Sequence, residues 1–266
     1  MRGQWNLIRA FWLHDFREAQ SYPLTHFNRV AGLGIFFFLL HGLSEMQGGD
    51  VEATGIGVLP FIACGYAVLD LMWTALGAFT SKLRRHQTTG MLEACLMTGH
   101  SLPALMGAMP VFDLSVSIFR ATGVVVLASL FMVPPAPSIG WLFAGLFGFF
   151  GVVMFLCFGL ISAALLLRYK AGDPLNKALH FSAILTGGVL LPRRLLPEAL
   201  ANVGGWVPIA PVVDGVRLSL QGQSATELAP VAGRLALLLL FSGLVAIWVV
   251  RRAVLAVLRE GSLSHY

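Results

Sequence analysis

The sequence predicts an all-α integral membrane protein with six transmembrane helices, on three observations. Of its 266 residues, 57% are hydrophobic and only 12% are charged, against roughly 25% charged in a soluble domain. Several apolar stretches reach the roughly 20 residues that a helix needs to cross a hydrocarbon core about 30 Å thick. The basic residues behind the formal charge of +5 fall in short clusters between those stretches, the pattern of topology signals and not of a nucleic-acid face.

At residues 4–22, Trp5, Ile8, Phe11, Trp12 and Phe16 recur at three- and four-residue steps, with Arg9, Asp15, Arg17 and Glu18 among them. This spacing predicts an amphipathic helix lying in the membrane interface. Because charges interrupt its apolar residues, it lacks the core of a signal peptide and is expected to be retained. The first span covers 24–43, entered through His26, Asn28 and Arg29. An acidic loop with Glu45, Asp50 and Glu52 leads to the second span, 56–80, which ends at Lys82, Arg84 and Arg85. A third span, 102–133, stops at Pro134, Pro135 and Pro137, which cannot continue a helix. The fourth, 141–167, closes on Arg168 and Lys170. The fifth, 175–191, is short, and the last, 231–250, is stopped by Arg251 and Arg252.

Between the fifth and sixth spans the chain is too broken by Pro and Gly to cross, and short re-entrant helices are expected there. Irregular backbone survives at membrane depth only where protein or water shields it. Gly188, Pro192, Pro197, Pro208, Pro211 and Arg217 mark this external segment. By this layout about 13 Lys and Arg lie on the side of the N-terminus and about 4 on the other, with Arg120 inside a span. The positive-inside bias then puts both termini in the cytoplasm. With no internal repeat, residues 1–266 read as a single membrane domain.

No catalytic constellation stands out: HExxH, GxSxG and GxxxxGK[ST] are all absent from the sequence, so no catalytic residue and no metal ligand is assigned. Cys64, Cys95 and Cys157 lie far apart, in no metal-type or redox spacing. Charges inside spans are expensive and invite a functional reading. Asp70 stands 12 residues before Lys82 and Asp113 stands 12 after Ser101, which predicts similar depth on adjacent helices. Arg120, seven residues beyond Asp113, shares its helix face. Asp70, Asp113 and Arg120 are either a polar patch on a translocation path or an internal ion pair that fixes packing. His41 and His180, near span ends, read as interfacial residues. Along the fourth span Phe143, Phe147, Phe150, Met154 and Phe158 form an aromatic stripe, read as a packing or lipid-facing surface. Beside it Gly145, Gly148 and Gly151 permit close helix approach.

The loop at about 81–100 carries the clearest signal. Gly90 frees a turn, and Leu92, Leu96 and Met97 offer an apolar face beside Glu93, as on a short amphipathic helix. Gly90, Met91, Leu92 and Glu93, followed by Thr98 and Ser101, stand where permease subunits of type 2 ABC exporters read GTLE, a leucine pair, then TP and serine. After the fifth span those permeases read like SGVFFP, LLP, NPLTY and a DxLR-like end. Here TGGVLLP at 186–192, LLP at 195–197 and VPIAPVVDGVR at 207–217 follow that order. The sequence therefore resembles this family over essentially its whole length, with Met91 and Gly99 in place of the family's threonine and proline.

The resemblance implies a permease that moves an amphipathic or lipid-like substrate, or a glycan, out through a bacterial plasma (inner) membrane. It implies a second permease copy or paralogue and a separate ATPase subunit that binds ATP and Mg. Gly90, Leu92, Glu93 and Leu96 would then sit on the coupling helix that docks into that ATPase. Membrane lipid is the remaining partner, and no nucleic acid is expected. A gradient-driven secondary transporter or channel is the rival, and it predicts paired discontinuous spans and several intramembrane acids.

Overall fold

The computed structural model describes residues 2–21, 57–88, 102–131, 138–169, 174–190 and 192–260, together with positions 42 and 97. The described residues are all-helical. In chain order they form α1 (Arg2–Ser21), α2 (Val58–Thr88), α3 (Leu102–Ala108), α4 (Val111–Ser129), α5 (Ser138–Tyr169) and α6 (Pro174–Thr186). A 3-10 turn (Arg193–Leu195), α7 (Glu198–Gly204), α8 (Ile209–Leu220) and α9 (Ala225–Glu260) complete them.

Among the described residues four stretches are long and apolar enough to cross a membrane: Val58–Arg85, Ala104–Ser129, Ser138–Leu166 and Ala225–Ala253. They correspond to the second, third, fourth and last predicted spans. A fifth arises if Glu198–Gly204 and Ile209–Leu220, bent by 88° to each other, count as one. The predicted span 24–43 lies outside the described residues apart from Gly42.

α6 differs from the expected fifth span. It has 13 residues, about 20 Å of helix at 1.5 Å per residue, and it stops at Thr186 where the sequence reading ran on to 191. Gly188, in the left-handed region at φ +74°, turns the chain there. The last helix begins at Ala225, six residues before the predicted 231. Ser224 precedes it, and its backbone N–H donates to the Glu227 carboxylate at 3.2 Å, half of a capping box that starts the helix ahead of its apolar run.

α5 is the hub. It packs on α2, α8 and α9, while α2 also lies along α4. Met72, Met154, Phe155, Ile209, Val212 and Leu220 are buried in the shared core. Between α2 and α4 the packing is built from small side chains, Ala63, Ala67, Ala121 and Ala128, which let two backbones approach closely. α1 lies across α3 and α4: Phe11 is buried with Phe79, Leu83 and Leu105, and Trp12 and Phe16 meet Phe112 edge-on at 5.8 and 6.5 Å.

The aromatic stripe on α5 is divided by its neighbours. Phe147 and Met154 are buried and Phe150 is exposed. Of the three glycines beside it, Gly151 meets Val212, whereas Gly145 and Gly148 have open space. A close approach of backbone to backbone lies at Gly65 on α2, where a Cβ would collide with the Val189 carbonyl and the Arg217 guanidinium. Gly65→Ala is therefore expected to destabilise the protein by about 1–3 kcal/mol. Gly123→Ala, which faces open space, should change stability by less than about 0.5 kcal/mol. Thermal melts of the two purified variants check the contrast.

Candidate functional site

Asp70 and Lys82 of α2 and Asp113 and Arg120 of α4 fall into two clusters, stacked along the two helices. In the deeper one Arg120 donates to both oxygens of Asp70, from Nη2 at 2.7 Å and from Nε at 3.0 Å. Ser117 adds a hydroxyl donor to the same carboxylate at 2.9 Å. Asp70 and Arg120 are largely covered, with side chains 16% and 19% exposed. In the second cluster Lys82 is buried, donates to the Met109 carbonyl at 2.7 Å and reaches Asp113 at 3.0 Å. It also bonds Asp15 of α1. One turn on, Arg85 pairs with Glu18.

The structure therefore corrects the expectation that Asp70 and Asp113 share a depth. That expectation took Lys82 as the end of the second helix, but α2 continues to Thr88. Asp70 stands 18 residues before that end and Arg120 stands 18 after the start of α3, whereas Asp113 stands only 11 after it. Arg120 is thus level with Asp70. Asp113 lies two turns away, with Lys82.

At the other end of α2 sits the interrupted segment. Arg217 on α8 is 5% exposed. Its Nη1 donates to the Gly188 carbonyl at 2.6 Å, and its Nη2 donates to the carbonyls of Phe61 at 2.6 Å and Val189 at 2.9 Å. Its guanidinium carbon lies 3.4 Å above the centre of the Phe61 ring. Five donors in a rigid plane suit this task, because the three carbonyls come from a turn and a helix start that no single helix could supply. Beside it Arg193 pairs with Asp214.

The prolines punctuate the same segment. Pro192 precedes the 3-10 turn, Pro197 precedes α7, Pro208 precedes α8, and Pro211 is buried in the first turn of α8. The fold thus brings Gly188, Pro192 and Arg217 together and strings Pro197, Pro208 and Pro211 along the helices that follow. It adds Phe61, Asp214 and Arg193, which the sequence reading did not single out. The Asp214–Arg217 spacing was the available signal, since residues three apart share a helix face.

Phe61 and Arg85 are 24 residues apart on one helix, about 36 Å at 1.5 Å per residue. The interrupted segment and the basic cluster therefore lie at opposite ends of α2. The coupling-loop residues Gly90, Leu92, Glu93 and Leu96 fall outside the described residues, as do Cys95 and His41. His180 is half-buried, its ring edge-on to Trp73 at 3.9 Å. Searches against protein-family models and against curated proteins match nothing.

Proposed function

We propose that this chain is the membrane-spanning permease subunit of an ATP-driven exporter of the type 2 ABC kind. It crosses the membrane six times, with both termini cytoplasmic, α1 in the interface and the 187–220 segment re-entering from outside. It works with a second copy or paralogue and with a separate ATPase subunit that binds ATP and Mg. It moves an amphipathic or lipid-like substrate, or a glycan, outward.

The observation that supports this best is the single bent pair, α7 and α8, tied by Arg217 to the Phe61 end of α2, about 36 Å from the basic cluster at the other end. A secondary transporter built from inverted repeats would carry such a break in both halves. Among the described residues it occurs once. Irregular backbone that is fully bonded to its own protein is the form tolerated at membrane depth. Arg217 supplies two of those bonds, to the Gly188 and Val189 carbonyls.

In this reading ATP binding draws two ATPase subunits together, and the loop around Glu93 carries their motion into α2 and α3, which flank it. Glu93→Arg tests it with the permease and ATPase purified together in proteoliposomes. Export and permease-stimulated ATP hydrolysis are both expected to fall by about tenfold, the loss of a charge contact worth about 1.4 kcal/mol. Glu93→Gln should lose less. Unchanged transport in the Arg variant, or purification of the chain as a transport-competent protein without any ATPase, would overturn the assignment.

A further inference from the structure

A groove of about 470 Å³ lies between α2 and α6 and is floored by Leu166 of α5. That volume is within the roughly 300–1,000 Å³ of ordinary ligand pockets. Its walls are apolar, with Trp73 and Leu76 from α2 and Phe181 and Ile184 from α6. Trp73 and Phe181 are 60% and 66% exposed. Large aromatic rings left open to this extent at a concave surface need a partner.

The polar end of the groove has one sign. Among the described residues Arg84 and Lys177 line it, both exposed, and no carboxylate does. Neither forms an ion pair among the described residues. The other cations at this end of α2 are already engaged, Lys82 with Asp15 and Asp113 and Arg85 with Glu18. The groove is also held open by its own scaffold. The Asn176 amide donates to the Leu76 carbonyl at 2.9 Å, fixing α6 against α2, and His180 stands against Trp73 at 3.9 Å.

Length matches charge. Trp73 and Arg84 are 11 residues apart on one helix, about 16 Å, while one leaflet of a hydrocarbon core about 30 Å thick measures about 15 Å. With Arg84 at the headgroup level, Trp73 reaches the region of the bilayer midplane. From this we infer that the groove holds one anionic phospholipid of the leaflet on the Arg84 side. Its phosphate lies between Arg84 and Lys177, and one acyl chain runs along Trp73, Leu76, Phe181 and Ile184. Arg84 offers a fork for two phosphate oxygens and Lys177 a compact charge. Basic pockets between membrane helices select such headgroups over zwitterionic ones. Among the described lining residues a choline group would find no acid to balance it. The inference requires these helices to lie in a bilayer, and it stands whether or not the chain exports anything.

The test uses the full chain in nanodiscs that contain phosphatidylglycerol or phosphatidylcholine with brominated acyl chains, at equal mole fraction. Quenching of the Trp73 component, taken as the difference between the native chain and Trp73→Phe, is the readout. Two cations at about 1 kcal/mol each imply a preference for the brominated phosphatidylglycerol of roughly 25-fold. The double variant Arg84→Gln, Lys177→Gln, which changes only exposed side chains, should bring the ratio to about one, and Arg84→Lys should keep most of it. Equal quenching by the two lipids in the native chain would overturn the inference. So would a preference that survives in the double variant, or one abolished by millimolar glycerol phosphate, which would make the occupant a soluble anion.

Discussion

Arg217→Met is expected to cost the protein about 3 kcal/mol or more of stability, because each buried acceptor left without a donor costs about 1–3 kcal/mol. Two turn carbonyls, Gly188 and Val189, depend on this one guanidinium, and the Phe61 carbonyl inside α2 shares it. Methionine fills a similar volume and offers none of them a proton. Water cannot replace the donor easily, since the site is 5% exposed and closed by the Phe61 ring. Arg217→Lys should recover little, because a single ammonium cannot satisfy carbonyls spread across a planar fork. The loss should be local before it is global. Cys64, buried at 0% one turn from Phe61, is the reporter: its alkylation by a maleimide in nanodiscs, followed by peptide mass spectrometry, should speed up well below the melting temperature. A variant that melts like the native chain and keeps Cys64 protected would show that the segment holds itself without Arg217.

The second large effect concerns Asp70 and Arg120. Arg120→Leu alone leaves a carboxylate in an apolar helix interface and is expected to destabilise by about 3–5 kcal/mol. Replacing both, Asp70→Leu with Arg120→Leu, removes the charge together with its partner and should return stability to within about 1 kcal/mol of the native chain, as buried pairs often tolerate. Under the proposed function, transport should return with it. The geometry supports this, since Arg120 Nε and Nη2 and the Ser117 hydroxyl all donate to the one Asp70 carboxylate. A double variant that is as stable as the native protein but transports nothing would instead assign the pair to the translocation path. Thermal melts and a proteoliposome transport assay, run on both variants, separate the outcomes.

The helices were legible where a long apolar run decides them. α5 lies within about three residues of the expected span at both ends and α2 starts within about two of it, because burial and hydropathy act on the same residues there. The misses fall where another force sets the boundary. α9 starts early because Ser224 and Glu227 cap it, and α6 stops early because Gly188 turns. The depth of Asp113 was misjudged because the polar residues after Lys82 look like a loop yet continue the helix to Thr88. Within the site, Arg217 and the prolines could be picked out by type. The Phe61 carbonyl could not, since a backbone acceptor 156 residues from its donor leaves no mark in the sequence. The aromatic stripe on α5 was visible as a period, but which of its members are covered depends on where α8 lands.

Lys82 has a mechanical consequence beyond charge balance. It joins Asp15 of α1 and Asp113 of α4 from its own place on α2, so three helices share one pin. α2 leads into residues 89–101, and α3, followed by α4, comes after them. Any shift of α2 against α4 at this level therefore works on the pin from both sides, and α1 is carried as an outrigger on the same axle. Such a shift must also drag a 20-residue helix, which makes α1 a brake on the movement as much as a passenger.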